Sequence, residues 1–322
     1  MNADNKYIRF DWAVKRMLRD KANFDVLEGL LTVLLNEQVH IIELLESESN
    51  QEMFDDKFNR VDIKAKNDKD EIFIVEVQLT REINYLERIL YGTAKTITEH
   101  IKLGRSYSEI RKVYSISIVY FDLGKGADYL YHGINKFVGV HTKDTLTINV
   151  KENDTIRMRT PDEVFPEYYI IRVNEFNQVA RTPLEEWVDY LKNGHIKDDT
   201  TAPGLSEAKE KLQYMMLSQP DRHAYDEHLN AIMIQNDVLS TAKLEGLAEG
   251  LAEGRAKGRA EGRAEGRAEG RAEGRAEGRA EGLAAGIEQG LRNVAMKMKR
   301  LGKRADEIIE LTGLTKEQID AL

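Results

Sequence analysis

Apolar residues fall into strand-length and helix-length groups along the first 240 residues, and their spacing predicts an order of elements. Trp12, Val14, Met17 and Leu18, then Leu27, Leu30, Leu31, Leu34 and Leu35, recur at helical spacing with a break near Asn23, which predicts two helices between residues 11 and 36. Strands are predicted over 38–46, 58–66 and 72–79. A helix follows over 84–103, with Leu86, Ile89, Leu90, Thr93, Ala94, Ile97 and Ile101 as its apolar stripe and Gly104 as its stop. Val113 to Phe121 reads as a central strand, 129–150 and 167–174 as further strands, and 184–191 and 205–217 as helices. Three strands, a helix and another strand is the order of an α/β fold, a mixed sheet flanked by helices.

Residues 60–78 carry the candidate chemistry. Val61, Ile63 and Ala65 alternate with charged residues, Ile72 to Val75 and Val77 form a second apolar run, and Asn67-Asp68-Lys69-Asp70 separates the two. That is the pattern of an antiparallel hairpin. With the turn centred on Lys69, residues equidistant from it face each other, so Asp62 lies opposite Glu76 and Arg60 opposite Gln78. The side-chain period of two then puts Asp62, Glu76 and Gln78 on one face. Facing carboxylates repel unless a cation lies between them, and two carboxylates with the neighbouring Val77 carbonyl suit a hard ion such as Mg²⁺. The charged residues of the first strand also fit an ordinary solvated face. Glu76 weighs against that reading: it interrupts five apolar residues, and a buried carboxylate needs a partner or a metal.

These residues resemble a known family. Asp62 followed after a spacer by Glu76-Val77-Gln78 resembles the PD-(D/E)XK nuclease signature, with Gln at the terminal Lys position and Val61 where the superfamily has Pro. Phe10-Asp11-Trp12-Ala13-Val14-Lys15, Arg88-Ile89-Leu90-Tyr91 and Leu103-Gly104-Arg105-Ser106-Tyr107 are similar to segments of the bacterial recombination-promoting nuclease and putative transposase group. So are Pro183-Leu184-Glu185-Glu186-Trp187 and Asp221-Arg222-His223-Ala224-Tyr225.

The resemblance implies a restriction-endonuclease-like fold and a metal-dependent DNA endonuclease that promotes recombination or DNA mobility. Asp62, Glu76 and the Val77 carbonyl would hold Mg²⁺, with Mn²⁺ able to substitute, and Gln78 would orient the attacking water. The superfamily also makes Asp11 and Glu28 auxiliary candidates, while Asp11 on its own reads as the cap of the first helix. A neutral Gln78 cannot supply the positive charge of a lysine. An alternative is therefore a catalytically weak DNA-binding, self-assembling protein that retains the fold.

Composition adjusts this picture. At 322 residues and 41% hydrophobic content the chain can bury one sizeable core plus an appendage. It has no cysteine, which removes disulfides and thiolate metal sites and fits a reducing compartment. The chain lacks an apolar run of about 18 residues, and Met1 to Lys6 lack a hydrophobic signal core, so a cytoplasmic protein without a membrane partner is expected. The net charge is −9; residues 241–322 hold 16 basic and 15 acidic residues, leaving 31 basic against 41 acidic before them. Either basic residues gather near the site, for which Lys15, Lys64 and Arg88 are candidates beside the reading of solvated faces, or DNA binding is weak.

The tail has its own pattern. From Gly246 to Gly290 glycine recurs at every fourth position, twelve times, most often within Arg-Ala-Glu-Gly. Each glycine costs a helix about 1 kcal/mol relative to alanine, so a lone helix here is expected to fray. Stripes of small residues also let backbones approach closely, which predicts homo-oligomers formed through the tail; a solvated low-complexity spacer is the other reading. Beyond it, residues 305–319 read as two short helices joined at Gly313, with Thr315 and Gln318 forming a capping box. The resulting division is a nuclease domain over 1–180, a helical extension over 181–240, the repeat tail over 241–290 and a helical hairpin over 291–322.

Overall fold

The computed structural model describes residues 7–46, 61–101, 106–152 and 155–322. Helices α1 (Phe10–Arg16) and α2 (Phe24–Leu35) precede three strands, β1 (Ile41–Leu44), β2 (Ile63–Asn67) and β3 (Ile72–Gln78). Helix α3 (Tyr85–Glu99) leads to β4 (Val113–Val119), and β5 (Leu130–Gly133), β6 (Ile148–Glu152), β7 (Thr155–Arg159) and β8 (Glu167–Arg172) follow. One mixed sheet runs β1-β2-β3-β4-β8-β5: β3, β4 and β8 are parallel, and β1, β2 and β5 are antiparallel to their neighbours. Strands β6 and β7 pair apart from it. Arg60 and the helix stop predicted at Gly104 lie outside the described residues.

The β2–β3 hairpin has the predicted register, with Ile63 opposite Val75, Lys64 opposite Ile74 and Ala65 opposite Phe73. Its turn is closed by Asn67, whose side-chain oxygen accepts the N–H groups of Lys69 at 3.1 Å and Glu71 at 2.8 Å, while Asp70 takes a left-handed conformation at φ 66°. The pleat sends the two faces of the sheet into different surroundings. Phe73, Val75, Val77, Tyr114, Ile116 and Ile118 join the main core with α1, α2 and the later helices α4 (Pro183–Asn193) and α5 (Leu205–Lys211). Ile72, Ile74 and Val113 turn to the other face, where Ile97 of α3 packs.

The surface facing helix α3 is mixed, with Ile72, Ile74, Val113 and Val119 beside polar residues. Ser115, Ser117 and Glu76 are buried on the sheet, and α3 buries Tyr85, Ile89, Gly92, Thr93 and Thr96, leaving the predicted stripe members Leu86, Leu90 and Ala94 exposed. Ile89 and Thr93 are common to the predicted and the observed stripe, which is turned toward Tyr85, Gly92 and Thr96.

Residues Met1–Asn230 form one compact unit and Ala231–Leu322 a second. Trp187, Tyr190, Leu205 and Tyr225 belong to the same core as the sheet, so the boundary drawn at 180 runs through that core. Helices α2 and α5 approach closely in it: a Cβ on Gly29 would lie 2.2 Å from the Gly204 Cα, and Gly204 has φ +80°. Gly29→Ala is therefore expected to cost about 2 kcal/mol in chemical unfolding, because a backbone segment must shift to admit the methyl group.

Helix α6 (Gln219–Arg300) runs unbroken through the glycine repeat, where a frayed segment was expected. Arg, Ala and Glu fill most of the repeat's other positions and are strong helix formers, and the chain contains no proline after Pro220. In the second unit, α7 (Ala305–Thr312) ends at Gly313 with φ 67°, and α8 (Lys316–Asp320) starts with the predicted Thr315 and Gln318 capping box. Ile308, Leu314 and Ile319 close over Ala295 near the end of α6, so this hairpin packs on its own helix.

Candidate active site

Strand β2 begins at Ile63, opposite Val75, and the ladder ends before Val77. Odd-numbered residues of β3 direct their backbone groups toward β2, so the N–H and C=O of Val77 face an edge where that strand has stopped. Asp62 fills part of it: its Oδ2 accepts the Val77 N–H at 2.7 Å. Arg19 holds the backbone behind, donating from Nη2 to the Asp62 carbonyl at 2.8 Å. Beside this point is a hollow of about 270 Å³ lined by Arg19, Leu44, Leu45, Glu46, Asp62, Ile63 and Lys64.

Glu76 points to the α3 face of the sheet and is 6% exposed. Its Oε1 accepts from Nη2 of Arg88, while Nη1 of the same guanidinium donates to Glu82 Oε2 at 2.6 Å. Burial pushes the Glu76 carboxyl up to about 7, against the pull of Arg88 and Lys15, and the charges of Asp62 and Glu82 add to the rise. Next to it in the sheet register is Ser117 of β4, and the Tyr85 hydroxyl is raised above the usual tyrosine range by burial and by the charge on Glu76. Gln78, two residues along the same face, donates from Nε2 to the Thr80 carbonyl at 3.2 Å and to its hydroxyl at 3.3 Å. A backbone carbonyl can only accept, so the amide is oriented with its N–H₂ on Thr80 and its oxygen left for another partner.

Asp62, Glu76, Val77 and Gln78 are thus gathered at one end of β3, with Arg88 in contact and Lys15 within electrostatic reach of Glu76. The other sequence candidates lie elsewhere. Asp11 caps nothing, since α1 begins at Phe10 with Arg9 before it; it is fully buried, with Arg9 Nε at 2.9 Å and His228 Nε2 at 2.7 Å. No hydrogen bond or ion pair among the described residues joins it to Asp62 or Glu76, and it ties the start of the chain to α6. Glu28 accepts the Ile41 N–H at 2.6 Å and lies 2.9 Å from His40 Nδ1, fastening α2 to β1. Lys64 is 5% exposed and donates to Glu99 at 2.8 Å, so its ammonium faces α3 and is not presented to a surface ligand. Glu82, Tyr85, Ser117 and Thr80 escaped the sequence reading. The one available signal was Ser115 and Ser117 at a period of two inside the apolar run 113–119.

A family model described as PD-(D/E)XK nuclease family transposase matches residues 8–242. The chain belongs to this family. No curated protein and no solved structure matches it. As a PD-(D/E)XK nuclease family transposase the protein has a nuclease or DNA-mobility role, and its six-stranded mixed sheet flanked by helices fits that fold. Among the described residues no helix is long and apolar enough to cross a membrane.

PD-(D/E)XK nucleases generally use divalent metals. Among the described residues no three acidic, histidine or cysteine side chains converge on a point. The donors at the end of β3 nevertheless fit a hard cation: a buried carboxylate already drawing in a guanidinium, a second carboxylate whose charge acts on it, and a carbonyl at an unladdered strand edge.

Proposed function

We propose that the protein is a metal-dependent DNA endonuclease that promotes recombination or DNA mobility, with Asp62, Glu76 and the Val77 carbonyl holding Mg²⁺ and Mn²⁺ able to take its place. The observation that carries this reading is Glu76, a carboxylate buried beside the charge of Asp62 at the end of β3. When bound, the ion supplies polarisation of the scissile phosphate and a lowered pKa for the attacking water. Asp62 is held for its part by the Val77 N–H, so its second oxygen is available at the same edge. Gln78, its N–H₂ engaged by Thr80, has an oxygen with which to accept a hydrogen bond from that water and orient it. Lys15, exposed on α1 and within reach of Glu76, serves as a phosphate contact.

Supercoiled plasmid incubated with the purified protein should be nicked or cut in Mg²⁺ and left intact in chelator. Plasmid bound but uncut in both would favour the second reading, a DNA-binding assembly protein, which the neutral Gln78 and the acidic balance of residues 1–240 support. Under either reading the tail beyond 240 mediates self-association in the cytoplasm, on the strength of its small-residue stripes. Light scattering should show a chain ending near Leu239 losing the oligomeric state of the full chain, and an unchanged state would remove the tail from assembly.

A further inference from the structure

Glu76 has a cation already. The Arg88 guanidinium bridges two carboxylates, Nη2 on Glu76 and Nη1 on Glu82, and the two ends of the bridge differ in surroundings. The Glu76 side chain is 8% exposed, whereas those of Arg88 and Glu82 are 32% and 37% exposed. A carboxylate buried to that degree stays ionised only beside a positive partner, while an arginine at the surface can rehydrate or change partner. A divalent ion on Glu76 would meet Arg88 within hydrogen-bond range of the same carboxylate. Two cations so close repel strongly, and the more exposed one, on a flexible side chain, is the one that moves.

We propose that Arg88 is an exchangeable counter-ion, which neutralises Glu76 until a divalent ion takes the carboxylate and then turns its freed Nη2 to a DNA phosphate while Glu82 keeps Nη1. This rests on the metal reading above and adds an order of events to it. The planar fork of a guanidinium suits a phosphate as well as a carboxylate, so the same group can serve both partners in turn. The exchange brings to the substrate the positive charge that Gln78 lacks, and ties its delivery to metal loading. Arg88 is in this sense a positioning residue for Glu76 before it is a ligand for DNA.

The test compares full-length wild type, Arg88→Gln and Asp62→Asn at pH 8. Calorimetric titration with Mn²⁺ alone should show about tenfold tighter binding to Arg88→Gln, because a competing charge is gone. A fluorescent phosphorothioate duplex, resistant to cleavage, should bind Arg88→Gln roughly fivefold more weakly than wild type in Mn²⁺, the loss of one phosphate contact, and equally well in chelator. A merely structural Arg88 would loosen Mn²⁺ and duplex alike. If Arg88→Gln fails to fold, Arg88→Lys, which keeps the charge and loses the fork, should show the duplex defect in Mn²⁺ alone. Mn²⁺ binding that is lost in Asp62→Asn but indifferent to Arg88, or duplex binding unaffected in Mn²⁺, overturns the exchange. Mn²⁺ binding absent from wild type, or undiminished in Asp62→Asn, overturns the metal reading and this inference with it.

Discussion

Asp62→Asn is expected to cut supercoiled plasmid about 10³-fold more slowly than wild type in Mg²⁺, the scale of several kcal/mol of charge stabilisation at a metal site. The substitution must be to asparagine for the result to be readable. Asp62 has two tasks in this structure, a charge beside Glu76 and an acceptor for the Val77 N–H at 2.7 Å. Asparagine keeps an acceptor oxygen and removes the charge alone. Alanine leaves the Val77 N–H without its partner at about 1–3 kcal/mol, so an inactive alanine variant would report a disturbed strand edge as readily as a lost ligand. Thermal unfolding of Asp62→Asn in chelator should match wild type within about 2 °C, which corresponds to less than 1 kcal/mol in a domain of this size. Cleavage within tenfold of wild type, from proteins purified side by side, would remove Asp62 from the catalytic centre.

How much of this was legible in the sequence depends on which neighbour each residue answers to. The β2–β3 register was legible because it is local: the polar turn centres on Lys69, and a two-residue period on both sides fixes what faces what. The anomaly of Glu76 was legible for the same reason, as a charge in a run of apolar residues. The surroundings of Asp11 were not, because its partner His228 is 217 residues away and no period links them. Lys64 looked like one more charge on a solvated strand until α3, 35 residues on, supplied Glu99. The stripe of α3 was placed only in part because its buried face is carried largely by Tyr85, Gly92, Thr93 and Thr96, residues to which hydrophobic spacing gives little weight. The repeat tail shows the opposite limit. Summed propensities made its glycines the deciding feature, whereas the helix Gln219–Arg300 follows the Arg, Ala and Glu between them.

The second large effect concerns stability, and its sign is opposite to the usual result of mutating a buried residue. The carboxyl of Glu76 stands at about 7 in the folded protein against an ordinary value of 4.5, chiefly because burial disfavours its charge. Between those two values the folded state holds a proton that the unfolded chain has released. Its contribution to stability is therefore complete below pH 4.5 and is lost as the pH rises through 7. A shift of this size corresponds to about 3 kcal/mol. Glu76→Gln stays neutral throughout and can still accept from Arg88, so in chelator it should match wild type near pH 4.5 and exceed it by about 3 kcal/mol at pH 8, or roughly 6–10 °C in melting temperature. Every other titrating group is common to both proteins, so the difference between their pH profiles isolates this carboxyl. Adding Mg²⁺ at pH 8 should narrow the gap, since a cation bound by Glu76 stabilises the charged form of wild type and has no such partner in the variant. Parallel profiles between pH 4.5 and 8 would mean that Glu76 is already fully neutralised by Arg88. A gap at pH 8 that Mg²⁺ leaves unchanged would remove Glu76 from the metal site.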